Sequence, residues 1–207
     1  TCPIERLVED GQGMSLRQLL KKPIFAAAII LMICAGASEM SMAQWASAFA
    51  ESALGLTKSV GDLAGACLFA TTMGISRMLY GKFGEKIDLI KFMLISGVIC
   101  VVSYLLAGLS AMPIWGLVGC VMCGFSVGIM WPGSISITAP RIPKGGTALF
   151  ALLAMAGDMG GAFGPSVVGY FSQHAGDNLQ AGLLTGCIFP LIMLATLIAM
   201  KKMTPEG

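Results

Sequence analysis

The chain has 207 residues, 56% of them hydrophobic and 12% charged, with a mean hydropathy of +0.83 and a net charge of +2. A water-soluble domain carries about 25% charged residues, so a soluble core is excluded and the solvent has to be lipid. The small net charge carries no information until it is divided between two sides of a bilayer, and nothing in it points to nucleic acid.

The first stretch, Thr1 to Lys22, is polar and holds Glu5, Glu9, Asp10, Arg17, Lys21 and Lys22. No signal peptide precedes the first apolar run, so residues 1–22 read as a cytoplasmic linker at the start of a fragment. Six apolar segments follow over residues 23–203, and residues 204–207 are a short tail. The predicted spans run from about 23 to 49, 60 to 80, 88 to 109, 113 to 139, 147 to 171 and 179 to 200. Each has the ~20 residues needed to cross ~30 Å of hydrocarbon. Open backbone cannot sit in lipid, and these runs are too long for barrel strands, so all six are expected to be helices. The fold class predicted is an all-α membrane protein with six transmembrane helices.

Charge orders the turns. Counting alternate connections, one side collects 12 of the 13 Lys and Arg residues and the other holds only Lys58. Basic residues accumulate in cytoplasmic loops. Both ends are therefore expected in the cytoplasm, with a multi-pass chain in the cell membrane. Trp45, Trp115 and Tyr170 fall near predicted outer ends and Tyr80 near an inner end, as interfacial belts would place them. Trp131 lies inside the fourth span.

Ionisable groups at helix centres cost at least ~2.5–3.5 kcal/mol, so Glu39 in the first span and Asp158 in the fifth need a reason. One is a water-filled cavity that binds a polar solute or carries a proton or sodium ion. The other is a carboxyl hydrogen-bonded inside the bundle. The outer half of the first span adds Ser38, Ser41, Gln44 and Ser47 to Glu39, with Trp45 close by, at three- and four-residue steps. The fourth span is broken at Trp131-Pro132-Gly133, where proline removes an amide donor. The first and fourth spans both open on Pro-Ile and carry their small or broken stretch, near Gly36 and near Pro132, at similar depth. That suggests two inverted three-helix repeats, an arrangement that places binding sites at interrupted helices. The 27 glycines sit within apolar runs, where they let helix backbones approach. The seven cysteines show no metal or redox spacing and read as small apolar residues. No cofactor is expected, and no nucleophile–base pair or metal spacing suggests an enzyme.

After the second span comes Arg77-Met78-Leu79-Tyr80-Gly81-Lys82-Phe83-Gly84-Glu85-Lys86, and the fifth span contains Gly160-Gly161-Ala162-Phe163-Gly164-Pro165. With Ser41-Met42-Ala43-Gln44-Trp45 in the first span, these stretches resemble the C-terminal half of a major facilitator superfamily transporter, closest to the fucose-permease-like branch with its sugar transporters. The loop departs from the family pattern, with Gly81 where an acid is usual and Arg77 where a glycine is usual. The resemblance implies twelve helices in the intact protein, a missing N-terminal six-helix half and alternating access, as in a symporter. It implies a small polar, sugar-like solute met by Glu39, Gln44, Trp45, Trp131 and Asp158. Arg77, Gly81, Lys82, Gly84 and Lys86 would form a cytoplasmic gating loop. Gly36, Pro132, Gly160, Gly161, Gly164 and Pro165 would pack or bend helices. No Gly-x-x-x-x-Gly-Lys-Ser/Thr motif is present, so an ion or solute gradient would supply the energy. Two other readings stay open: an efflux pump of the same family for drugs or organic cations, and a non-transporting six-helix scaffold.

Overall fold

A computed structural model describes residues 14–55, 57–84, 87–110 and 112–203. A short helix, α1 (Leu16–Leu20), starts the described chain. Ser15 and Gln18 form a capping box: the Gln18 backbone N–H donates to Ser15 Oγ, and the Ser15 N–H donates to Gln18 Oε1 at 3.0 Å. Its Leu19 is fully buried beside Phe25, Ile142 and Leu149. The predicted linker is therefore helical at its end, because the capping box and one apolar anchor suffice for a single turn. Residues 1–13 and 204–207 lie outside the described residues.

The first span is α2 (Pro23–Leu54), with Pro23 preset for a helix start. It ends at Gly55, whose φ of 62° is the left-handed cap that glycine accepts. The second span comprises α3 (Lys58–Gly61), a π turn over Asp62–Cys67, and α4 (Leu68–Phe83). The third is α5 (Leu89–Leu109). The fourth is α6 (Pro113–Val127) and α7 (Met130–Thr138). The fifth is α8 (Gly146–His174), and the sixth is α9 (Leu179–Gly186) followed by α10 (Ile188–Met203). Among the described residues, six helical stretches are long and apolar enough to cross a membrane. Several outrun the predicted bounds, because a helix continues into water until a cap stops it. Asp88 is such a cap. Its carboxylate accepts the Lys91 N–H at 3.2 Å, and that bond holds the Asp88 carboxyl below its ordinary pKa.

Two hydrogen bonds tie turns at opposite ends of the bundle. The Met14 N–H donates to Lys144 O at 2.9 Å, placing the start of the chain beside the fourth-to-fifth turn. Gln180 Nε2 donates to Ser110 O at 3.0 Å, joining the third-to-fourth and fifth-to-sixth turns. These pairings are the ones that an alternating six-span path requires.

The first span is the most enclosed and packs along nearly the whole of α8. Small residues make this seam. A Cβ on Gly160 would collide with the Ile33 carbonyl, and one on Gly164 would lie 2.7 Å from Ala37 Cα. Lipid supplies little hydrophobic drive between helices, so close backbone approach and the van der Waals contact it gives hold the pair. Tyr104 O–H, fully buried on α5, donates to Ser38 O on α2 at 2.8 Å. Thr72 Oγ1 on α4 donates to Val121 O on α6 at 2.9 Å.

The contacts largely repeat when the first three spans are exchanged with the last three. The first span packs on the fifth as the fourth packs on the second, and the fourth on the third as the first on the sixth. The match is incomplete: the first and second spans touch extensively whereas the fourth and fifth barely meet, and the fifth packs on the sixth whereas the second and third hardly touch.

Candidate functional site

A cavity of about 320 Å³ opens where α2, α7 and α8 converge. Gly36, Glu39, Met40 and Gln44 reach it from α2, with spacings that share one helix face. Gly157, Asp158 and Gly161 line it from α8, and Trp131 enters from the start of α7. The Trp131 ring fills the room that Gly157 leaves: a Cβ there would lie 2.5 Å from the ring. The site thus combines two carboxylates, an amide, an indole and a thioether.

Glu39 is 8% exposed. Its Oε1 lies 3.5 Å from Arg77 Nη2, and its Oε2 is enclosed with no hydrogen-bond partner among the described residues. Arg77 therefore does not belong to a loop. It sits within α4, which continues to Phe83, and its side chain reaches back along the helix into the bundle, as helical side chains do. Arg77 Nε also donates to Gly128 O at 3.3 Å. Gly81 and Lys82 are helical too, with open space around Gly81, and Gly84 packs on the Tyr80 ring. Helix propensity and the reach of α4 beyond the hydrocarbon override the turn that the glycines suggested. Lys86 lies outside the described residues.

Trp45 does not line this cavity. Its indole N–H donates to Pro165 O at 3.2 Å, and its ring lies over Gly169. It faces a separate hollow of about 610 Å³, shared with Glu51, Ser172, Gln173 and Asp177. One residue beyond Gln44 is about 100° round the helix, enough to turn Trp45 from the cavity to the α8 seam. Trp45→Phe is expected to leave ligand affinity at the cavity unchanged while lowering stability by about 1 kcal/mol for one lost hydrogen bond; thermal unfolding and a binding titration read the two effects.

The packing residues divide in the same way. Gly36, Gly160 and Gly164 lie in the α2–α8 seam, and Gly161 lies against Met40 at the cavity. Pro165 is buried inside α8. The fourth span breaks at Gly128–Ile129 and not at Trp131-Pro132-Gly133, because a proline is accommodated in the first turn of a helix, and Pro132 lies in the first turn of α7. The Glu39–Arg77 pair has no signal in the sequence, because nothing local to Arg77 says which way its guanidinium turns. Met40 and Gly157 were also missed: an apolar residue and a glycine are unremarked in an apolar run. Cys100 and Cys123 place their sulfurs 3.9 Å apart, and Cys120 Sγ lies 3.6 Å from Met42 Sδ, all buried in the bundle core.

Residues 27–206 match the family model of the Major Facilitator Superfamily. The chain belongs to the major facilitator superfamily. Members of this superfamily are transporters, and the six-span bundle is consistent with half of the superfamily fold. The chain is 27% identical over 159 residues to the multi-drug resistance efflux pump PmrA of Streptococcus pneumoniae serotype 4, and equally to that of strain R6. The alignment covers 72% of this chain and 39% of each pump. The superfamily chain thus spans about two fifths of the length of the curated relatives it matches.

Proposed function

We propose that the α2–α7–α8 cavity is one wall of the substrate site of a secondary transporter that exports lipophilic organic cations. The observation that carries this reading is the convergence of Glu39 and Asp158 with the Trp131 indole on one cavity, with the second Glu39 oxygen left unpartnered among the described residues. A carboxylate held away from water attracts a cation more strongly than one in bulk solvent. An indole face adds about 0.5–2 kcal/mol toward a cation, and the Met40 thioether adapts to varied apolar bodies. The efflux activity in the names of the pneumococcal relatives supports the same class. Transport uses alternating access, with a proton exchanging for the cation at Glu39 or Asp158.

A second six-helix half would cover the cavity by docking on the second and fifth spans, which are the least enclosed. The fifth offers Met155, Met159 and Phe163 in an exposed stripe at four-residue steps. The basic ends face the cytoplasm in a cell membrane. A sugar-like solute is the second reading. Gln44 favours it, since its amide both donates and accepts hydrogen bonds at the cavity.

Inverted vesicles carrying the intact protein decide between them. Ethidium accumulation that collapses with a protonophore is expected; sugar counterflow with no ethidium movement would overturn the cation reading. Trp131→Ala should raise the KM for ethidium about 5–30-fold, the equivalent of losing about 1–2 kcal/mol of ring–cation attraction.

A further inference from the structure

Pro132 has no N–H, so the carbonyl four residues earlier in the fourth span loses its helical donor. That carbonyl belongs to Gly128, a buried residue in the turn between α6 and α7. The next rung is intact, with the Gly133 N–H on Ile129 O at 2.7 Å. The vacant acceptor at Gly128 is taken from another helix, by Arg77 Nε at 3.3 Å. The same guanidinium places Nη2 3.5 Å from Glu39 Oε1. One side chain thus touches both the cavity carboxylate and the broken helix, and α7, just past the break, carries Trp131 into that cavity.

We infer that Arg77 is a positioning residue that ties occupancy of Glu39 to the α6–α7 break. With Glu39 ionised, its charge holds the guanidinium at membrane depth, and the guanidinium caps the Gly128 carbonyl. When a cationic ligand neutralises Glu39, Arg77 loses its counter-charge. A lone guanidinium in an apolar setting is drawn toward water at the membrane surface. With 45% of its surface outside the six-span bundle, the Arg77 side chain is not locked by packing within this half. Its departure leaves the Gly128 carbonyl unpaired and the junction free to bend, so that α7 and Trp131 shift as a unit. The link rests on the cation reading only for the identity of the occupant.

Amide hydrogen exchange on the intact transporter, with and without ethidium, tests it. In wild type, ethidium should speed exchange over residues 129–134. Glu39→Gln, an isosteric change, should speed it about fivefold or more without ligand, the scale of one lost hydrogen bond. Arg77→Gln should do the same, and ethidium should add nothing in either variant. Pro132→Ala restores the missing donor, so Arg77→Gln with Pro132→Ala should exchange at the wild-type rate. Unchanged exchange in the α2–α8 seam marks these as local effects, and fast exchange in both regions for Glu39→Gln overturns the link. Glu39→Gln at the wild-type rate over 129–134 also overturns it, as does a double variant as fast as Arg77→Gln. If wild type binds no ethidium but Glu39→Gln still speeds the junction, the cation reading falls and the link stands.

Discussion

Gly160→Val is expected to prevent assembly of the six-helix bundle. Gly160 faces α2 where its backbone meets that of Ile33, and even a Cβ would overlap the Ile33 carbonyl. Backbone cannot rotate away as a side chain tip can, so α2 and α8 would have to separate along the seam. Overpacking a well-packed interior costs about 1–3 kcal/mol, occasionally more. Here the obstacle is main chain and the cost falls on the most extensive helix pair, so the cost lies above that range. Native proteins hold only about 5–15 kcal/mol in reserve, and loss of folded material follows. Size-exclusion chromatography of the detergent-solubilised protein reads it: the variant should aggregate or fail to accumulate. Gly81→Ala is the control. Open space surrounds Gly81 within α4, and alanine in a helix interior gains about 0.5–1 kcal/mol over glycine. A monodisperse Gly160→Val of wild-type thermal stability would show that the glycine seam does not hold the bundle together.

Asp158→Asn is expected to reduce cation transport by about 10–100-fold, matching the ~1.5–3 kcal/mol of a charge-assisted contact. Asp158 and Glu39 line the same cavity from α8 and α2. Asparagine keeps the size and removes the charge, so folding should survive. Combining Asp158→Asn with Glu39→Gln should abolish active transport and leave, at most, passive exchange. The two effects should not add, because both groups serve one occupant. Initial rates in inverted vesicles, measured with and without an imposed proton gradient, separate binding from coupling. A variant with loss of affinity but normal stimulation by the gradient would keep Asp158 in binding and remove it from coupling. Full gradient-driven ethidium transport by the double variant would take both carboxylates out of the mechanism.

Much of this molecule was legible before any coordinates. The six spans, their alternation and the carboxylates inside them follow from local quantities: run length, hydropathy, basic residues at alternate turns, and the cost of charge in lipid. Pro132 announced a broken helix by its missing N–H alone. Glu39 and Asp158 stood out because each sits in an apolar run that has to justify it. The tertiary structure decided what these features do together. It brought Glu39, Trp131 and Asp158, far apart in the chain, to one cavity, and turned Trp45 away to Pro165 on the next residue of the same helix. It moved Arg77 from an expected loop into α4, between Glu39 and the carbonyl that Pro132 left vacant. Sequence reports the cost of burying a group, which is a property of that group. The partner that offsets the cost depends on helix rotation and crossing, which are set by packing between residues dozens of positions apart.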